Sequence, residues 1–247
     1  MTTDSTPQRF VTRLTRQSEI PDMARIQYDA FNDPHSTMPD ELPQIAALDV
    51  DPTVGRPPTR DESIAKTIQR FEAVWAKNKY TIVGVYLLPP TANDVDIGEG
   101  SDTDSSSLPE GSVLVGQATW QRLDEHSPLD APEMEEQEKK EPVLIHRFMA
   151  QIHRTRETLM KGKTYWFLKV LTIDPKFQRK GLGTLLVKWG TKRADREGVN
   201  AWLESSPMGK GAYLKAGFRV LGMDRVDEPR AKKGYLEWPY MIHEPTQ

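Results

Sequence analysis

The chain has 247 residues, 37% of them hydrophobic, and a formal net charge of −3. That length suits one large domain or one domain with sizeable insertions, and the charge argues against the broad basic face that nucleic acid requires. Cysteine is absent, which removes disulfides, thiolate nucleophiles, iron–sulfur clusters and cysteine-based zinc sites together.

Met1 to Phe10 is polar and lacks a signal-peptide core. No apolar run approaches the roughly 18 residues of a membrane span. None of Asn32, Asn78, Asn93 and Asn200 sits in a glycosylation acceptor. The expectation is a cytoplasmic or nuclear protein with neither a membrane nor a nucleic-acid partner. Phe10–Leu14 alternates as a strand, and a helix follows with Ser18 and Pro21 as start signals and Met23, Ile26, Ala30 and Phe31 on one face. Proline-rich Asp33–Arg60 reads as a long loop. Asp61 is expected to cap an amphipathic helix carrying Ile64, Ile68, Phe71 and Trp75. Strands are expected at Tyr80–Leu88 and Ser112–Trp120, separated by Thr91–Glu110, an acidic segment without Lys or Arg that reads as a solvated hairpin insertion.

A further insertion covers Arg122–Lys163. Its first half is charged, and Glu133–Glu141 reads as a solvated loop. Its second half is a helix with Ile145, Phe148, Met149, Ile152 and Leu159 on one side. The remaining elements are a strand at Thr164–Ile173, a helix at Gly181–Arg196, a strand at Ala201–Glu204, a short helix at Lys210–Ala216, and strands near Phe218–Gly222 and Glu237–His243. Hairpin-like pairs at both ends, with helices interleaved, favour a mixed sheet with helices on both faces.

The chemistry concentrates in Leu168–Thr184. A buried strand ends at Asp174-Pro175, and a loop with Lys176, Arg179, Lys180, Gly181 and Gly183 opens a helix. A strand, glycine turn and helix N-terminus present backbone N–H groups and a positive dipole end to one point, which suits a phosphate or pyrophosphate. The same pattern also suits an ordinary glycine-containing helix start. It is neither a dinucleotide fingerprint, since Leu186 stands where the third glycine belongs, nor a P-loop.

Gln178-Arg179-Lys180-Gly181-Leu182-Gly183 resembles the Gln/Arg-x-x-Gly-x-Gly/Ala signature of the GNAT acetyltransferase superfamily. Leu171-Thr172-Ile173-Asp174-Pro175 before it is similar to that family's fourth strand. A second block agrees: Leu203-Glu204-Ser205-Ser206-Pro207, then Ala212-Tyr213-Leu214-Lys215-Ala216-Gly217-Phe218 with its Tyr-x-x-x-Gly-Phe pattern. The resemblance implies one acyl-CoA N-acyltransferase domain over residues 1–247, of α/β (mixed α+β) class. Its central, mostly antiparallel sheet would be flanked by helices on both faces and splayed between Thr164–Ile173 and Ala201–Glu204. Insertions would lie at about 33–60, 91–110 and 122–163, and would shape the acceptor pocket.

By the resemblance, acetyl-CoA is the cosubstrate and no metal takes part. Main-chain N–H groups of Gln178, Arg179, Lys180, Gly181, Leu182, Gly183 and Thr184 would hold its pyrophosphate. Leu171, Thr172 and Ile173 would run beside the pantetheine arm, with the Leu171 N–H serving as an oxyanion donor. Tyr213 would be the general acid, because a phenol is protonated at neutral pH. Its alternative is a core tyrosine. Glu204 is the best-placed carboxylate for a general base, against a salt bridge or solvated strand end. The strand Trp166-Phe167-Leu168 offers no acid, so deprotonation through ordered water stays open. His35 and His243 are candidates for the acceptor site, and His146 and His153 lie too far apart for a metal pair. The expected reaction is direct acetyl transfer to a primary amine of a small molecule, by a monomer or homodimer. A peptide or protein N-acetyltransferase and a non-catalytic acyl-CoA sensor are the alternatives.

Overall fold

A computed structural model describes residues 8–33, 56, 58–92, 107–127, 131–206 and 208–246. Seven strands form one sheet: β1 Phe10–Leu14, β2 Thr81–Leu87, β3 Val113–Leu123, β4 Tyr165–Ile173, β5 Asn200–Glu204, β6 Arg219–Asp227 and β7 Tyr235–His243. Their spatial order is β1-β2-β3-β4-β5-β7-β6, and β4–β5 is the parallel pair in an otherwise antiparallel sheet. Six helices accompany it among the described residues: α1 Ile20–Asn32, α2 Arg60–Ala76, α3 Ala131–Lys140, α4 Leu144–Met160, α5 Leu182–Glu197 and α6 Lys210–Lys215.

The alternation of each strand decides which helix it meets. Val83, Val85, Trp120, Leu168 and Leu203 pack under Leu186 and Val187 of α5. On the opposite face Ile82, Tyr86 and Leu114 meet Ile20, Met23 and Ile26 of α1 and Phe71 of α2. Tyr165, Phe167, Trp202 and Ile242 meet Met160 of α4. In β3, Thr119 pairs with Ile82 and Gln121 pairs with Phe167, and two residues of separation along a strand keep them on one side. So α1, α2 and α4 share a face, and α5 holds the other. Gly190 lets α5 settle onto β3, since a β-carbon there would lie 2.3 Å from the Trp120 ring.

Three details differ from the sequence expectation. Helix α2 is capped at Thr59 rather than Asp61: the Thr59 hydroxyl accepts from the Glu62 N–H, and the Glu62 carboxylate accepts from the Thr59 N–H at 2.8 Å. That reciprocal capping box satisfies more orphan donors than one aspartate would. Glu133–Glu141 is not a loop, because Ala131–Lys140 is helical. Its acids Glu135 and Glu138 pair with Arg154 of α4, which gives a polar helix a partner. Phe31 lies off the buried face of α1, 48% exposed, where Ile20 and Ala24 are buried instead. Most of Asp33–Arg60 and Thr91–Glu110, together with His35 and Pro207, lies outside the described residues.

Candidate active site

Strands β4 and β5 separate partway along. They pair from Tyr165–Asn200 to Leu168–Leu203 and no further, and Glu204 pairs instead with Tyr240 of β7. Beyond Leu168, β4 continues to Ile173 with β3 as its partner strand. The break coincides with a bulge: Thr119 pairs with Val170 and Trp120 with Leu168, so Lys169 is an extra residue on β4. A bulge bends its strand and sharpens the local twist, which carries the two ends apart. Lys169 turns outward, its Nζ donating to the Tyr80 hydroxyl at 3.2 Å. The side of β4 from Lys169 to Ile173 that faces away from β3 is therefore an edge within the sheet, able to bond an extended ligand arm. Leu171, Thr172 and Ile173 lie along it.

That edge leads into the glycine loop. Asp174 Oδ1 accepts from the Lys176 N–H at 3.0 Å and starts a single 3-10 turn, Pro175–Phe177. Arg25 of α1 pairs with Asp174 Oδ2 at 3.3 Å, and the Gln178 side-chain amide donates to the Ile173 carbonyl at 3.2 Å. Arg179 and Gly181 then take left-handed backbone conformations, φ +62° and +81°. For a non-glycine residue such a conformation costs of order 1–3 kcal/mol and is typical of ligand clamps. Helix α5 begins at Leu182 with no side-chain cap and no acidic residue in its first turn. Its first N–H groups and its positive dipole end thus stand open to an anion.

Gly183 faces the gap between the end of β4 and α6: a β-carbon there would lie 3.7 Å from Leu171 Cδ2 and 4.0 Å from the Ala212 Cβ. The two neighbouring cations are placed differently. Arg179 is exposed. Lys180 bonds Gln8 at 2.5 Å and lies over the Phe177 ring. Main-chain groups of Gln178–Thr184 therefore dominate this turn, with Lys180 drawn toward the N-terminal segment.

Helix α6 presents Tyr213 beside Ala212. The Tyr-x-x-x-Gly-Phe pattern has a direct structural meaning here. Gly217 at φ +89° ends the helix, the Phe218 N–H bonds the Tyr213 carbonyl at 3.0 Å, and the Gly217 N–H bonds the Leu214 carbonyl at 3.2 Å. This is a Schellman stop, and its usual apolar contact is the Tyr213–Phe218 edge-to-face pair with centroids 6.2 Å apart. Tyr213 is buried, its ring over Gly209, where a β-carbon would meet it at 2.7 Å. Burial pushes its phenol above the ordinary tyrosine value, so it stays protonated at neutral pH.

Glu204 lies at the end of β5 on the α4 face. Trp202 Nε1 donates to Glu204 Oε1 at 2.6 Å, and Arg156 Nη1 pairs with the same oxygen at 3.5 Å. Burial pushes the Glu204 carboxyl up, while Arg156 and the Trp202 bond pull it back. Sequence reasoning did not find Arg156. The signal was present, because Arg156 follows Ile152 by four residues on the apolar stripe of α4, where a cation needs a buried partner. Close by, a cavity of about 190 Å³ lies under α4, lined by Gln121, Leu123, Arg156, Met160, Tyr165 and Phe167 among others. His243 sits elsewhere, with Nε2 2.8 Å from Asp195 Oδ1 and Nδ1 3.2 Å from the Gly217 carbonyl. Both nitrogens tie β7 to α5 and α6.

Residues 133–235 match the family described as "Acetyltransferase (GNAT) domain". A protein named "Acetyltransferase" from Stachybotrys chartarum is 27% identical over 93 residues, 38% of this chain and 40% of that protein's length. The aligned stretch thus spans well under half of that relative. Among solved structures, arylalkylamine N-acetyltransferase 2 from Aedes aegypti superposes with a TM-score of 0.57 at 11% identity, over 96% of this chain and 100% of that one. A GNAT superfamily phosphinothricin acetyltransferase from Sinorhizobium meliloti, in complex with AcCoA, superposes with a TM-score of 0.50 at 13% identity, over 96% and 88%.

Proposed function

We propose that the chain, whose residues 133–235 match the GNAT acetyltransferase domain, belongs to that superfamily and transfers an acetyl group from acetyl-CoA to a primary amine of a small molecule, by direct attack in a ternary complex. The observation that carries this reading is the free edge of β4 running from the β4–β5 split into the uncapped N-terminus of α5. A thioester on a long arm ending in a pyrophosphate is the ligand such a path suits. The pyrophosphate would take the N–H groups of Gln178–Thr184, and the arm would lie along Leu171–Ile173. With the arm there, the Leu171 N–H would point at the acetyl oxygen and bind it most tightly as negative charge develops.

The amine nitrogen attacks the acetyl carbon, the C–S bond breaks, the ammonium proton leaves to a base and the sulfur gains one. Glu204 is the base in this reading, directly or through water. Tyr213 supplies the proton or hydrogen bond at sulfur. Burial holds the phenol above its usual value of about 10, whereas a thiol titrates near 8.5, so complete transfer is uphill and hydrogen-bond donation to the departing sulfur carries most of the effect. What supports a small acceptor is the cavity of about 190 Å³ under α4, with Tyr165 and Phe167 in its lining. Neither that cavity nor the hollow of about 420 Å³ bounded by Gln17, Ile20, Pro21 and Ile68 is lined by a motif residue, and only the former reaches Arg156, the partner of Glu204. Two neighbouring folds carry names that point to small acceptors, an arylalkylamine and phosphinothricin.

The test is thiol release from acetyl-CoA with pooled amines, which the cysteine-free chain leaves without background. Release with a small-amine pool is the expected result, and release with peptides alone would transfer the reading to a peptide N-acetyltransferase. In the same assay Tyr213→Phe is expected to lower kcat by roughly 10²-fold or more, with acetyl-CoA affinity unchanged. Wild-type kcat in that variant would remove Tyr213 from the mechanism.

A further inference from the structure

We propose that Arg156, on the helix inserted between β3 and β4, is a positioning residue that keeps the Glu204 carboxylate ionised and oriented to receive the acceptor's proton. The inference rests on the reading of Glu204 as base. It makes the insertion part of the proton machinery as well as a wall of the acceptor pocket.

The geometry is that of a cation held on every side. Arg156 has 7% side-chain exposure and Glu204 has 9%. The guanidinium lies 4.0 Å over the Phe167 ring of β4, one residue before the point where β4 and β5 part. Its Nη1 faces Glu204 Oε1 at 3.5 Å and its Nη2 lies 3.0 Å from His153 Nδ1. An arginine only donates, so His153 Nδ1 is the acceptor of this bond. Trp202 Nε1 and Arg156 both address Oε1, which leaves Oε2 as the oxygen for a proton.

The groups facing Glu204 come from four elements: Arg156 from α4, with His153 behind it, Trp202 from β5, Tyr240 from β7 and Asp224 from β6. Asp224 is itself buried, with Oδ1 held by the Thr155 hydroxyl at 2.6 Å and the Gln151 amide at 3.0 Å, and Oδ2 unpartnered. Burial raises the Glu204 carboxyl, Arg156 and then the Trp202 bond lower it, and the Asp224 charge raises it. Arg156 is thus the cation that opposes both burial and a neighbouring anion. Without it the carboxyl stays protonated to higher pH and is a poorer acceptor for the proton.

The experiment is a carbon-13 NMR titration of the full chain labelled at glutamate carboxyls, with Glu204 assigned by its loss in Glu204→Gln. Arg156→Gln is expected to move the Glu204 midpoint upward by at least one pH unit, and Arg156→Lys upward by less. Acetyl-CoA affinity reports that each variant is folded, and Arg156→Lys alone decides the matter if Arg156→Gln does not fold. An unmoved midpoint in the folded variant overturns the inference. Turnover with the best small amine of the thiol-release screen supplies the second readout. Glu204→Gln is expected to lose activity at every pH, whereas Arg156→Gln regains it at alkaline pH. If Glu204→Gln keeps full turnover, Glu204 is not the base and the role of Arg156 fails with it. If Glu204→Gln is inactive and the Arg156→Gln midpoint has not moved, the base stands and only the present inference falls.

Discussion

The two faces of the sheet build their shares of the site from different materials. Under α5 the parts are backbone and apolar: an uncapped helix start, two left-handed residues, a strand edge, and one buried phenol seated on glycine. Under α4 they are charges: Arg156 against Glu204, Thr155 and Gln151 against Asp224, and Arg147 against Glu228. Backbone donors carry no titratable charge and need only the right local conformation. Buried charges must be matched in pairs, and removing one partner strands the other. The α5 side should therefore tolerate pH and fail on added volume, while the α4 side should tolerate volume better and fail on pH.

Two glycines of α5 test the first half of that contrast. Gly190→Ala would put a β-carbon 2.3 Å from the fully buried Trp120 ring. Neither strand nor helix can yield cheaply there, and overpacking of this kind costs roughly 1–3 kcal/mol or more. Chemical denaturation should show that loss, and an unchanged midpoint would mean that α5 rides higher on the sheet. Gly183→Ala meets only ordinary contacts at 3.7 and 4.0 Å, so stability should hold or rise by up to about 1 kcal/mol from helix propensity. Its methyl would project into the proposed cofactor path, and calorimetry should find acetyl-CoA binding weakened by about tenfold, about 1.4 kcal/mol. Undiminished binding would move the pyrophosphate away from this turn.

The same division governs what the sequence discloses. The α5 side was legible because its requirements are local: glycines where the chain turns left-handed, and Tyr213 placed five residues ahead of Phe218 by the geometry of a helix stop. Strand and helix positions along the chain followed from periodicity, since the core dictates period two or three and a half. The α4 side was less legible because its partners are distant in sequence. Arg156 and Glu204 are 48 residues apart, and only the fold of the insertion over β5 and β6 brings them together. Glu133–Glu141 misled for a related reason: its helix is stabilised by Arg154 on α4, so a polar segment without its partner in view resembles a loop. Sequence alone does not separate Thr59 from Asp61 as the cap, because the choice depends on Glu62 reaching back.

The smallest predicted effect probes the charge-held side through pH. Glu228, at the β6–β7 turn, is 2% exposed and accepts from Arg230 and from Arg147 of α4. The Arg230 hydrogen bonds first, and the Arg147 charge as a minor contribution, hold its carboxyl down at about 2 against an ordinary 4.5, with burial opposing them. A depressed carboxyl stabilises the fold fully above about 4.5 and loses that contribution as pH falls toward about 2. Glu204 has the opposite sign: its carboxyl is raised by burial, so protonation on acidification favours the folded state. Acid loss of α4 should accordingly track Glu228. Arg230 is 58% exposed, so solvent screening reduces the effect to on the order of 1 kcal/mol. Urea midpoints between about pH 5 and 2.5 should fall more steeply for the wild type than for Glu228→Gln, and α4 amides should lose exchange protection before those of α5. Parallel pH slopes, with α5 opening first, would show that apolar packing rather than charge holds the inserted helix in place.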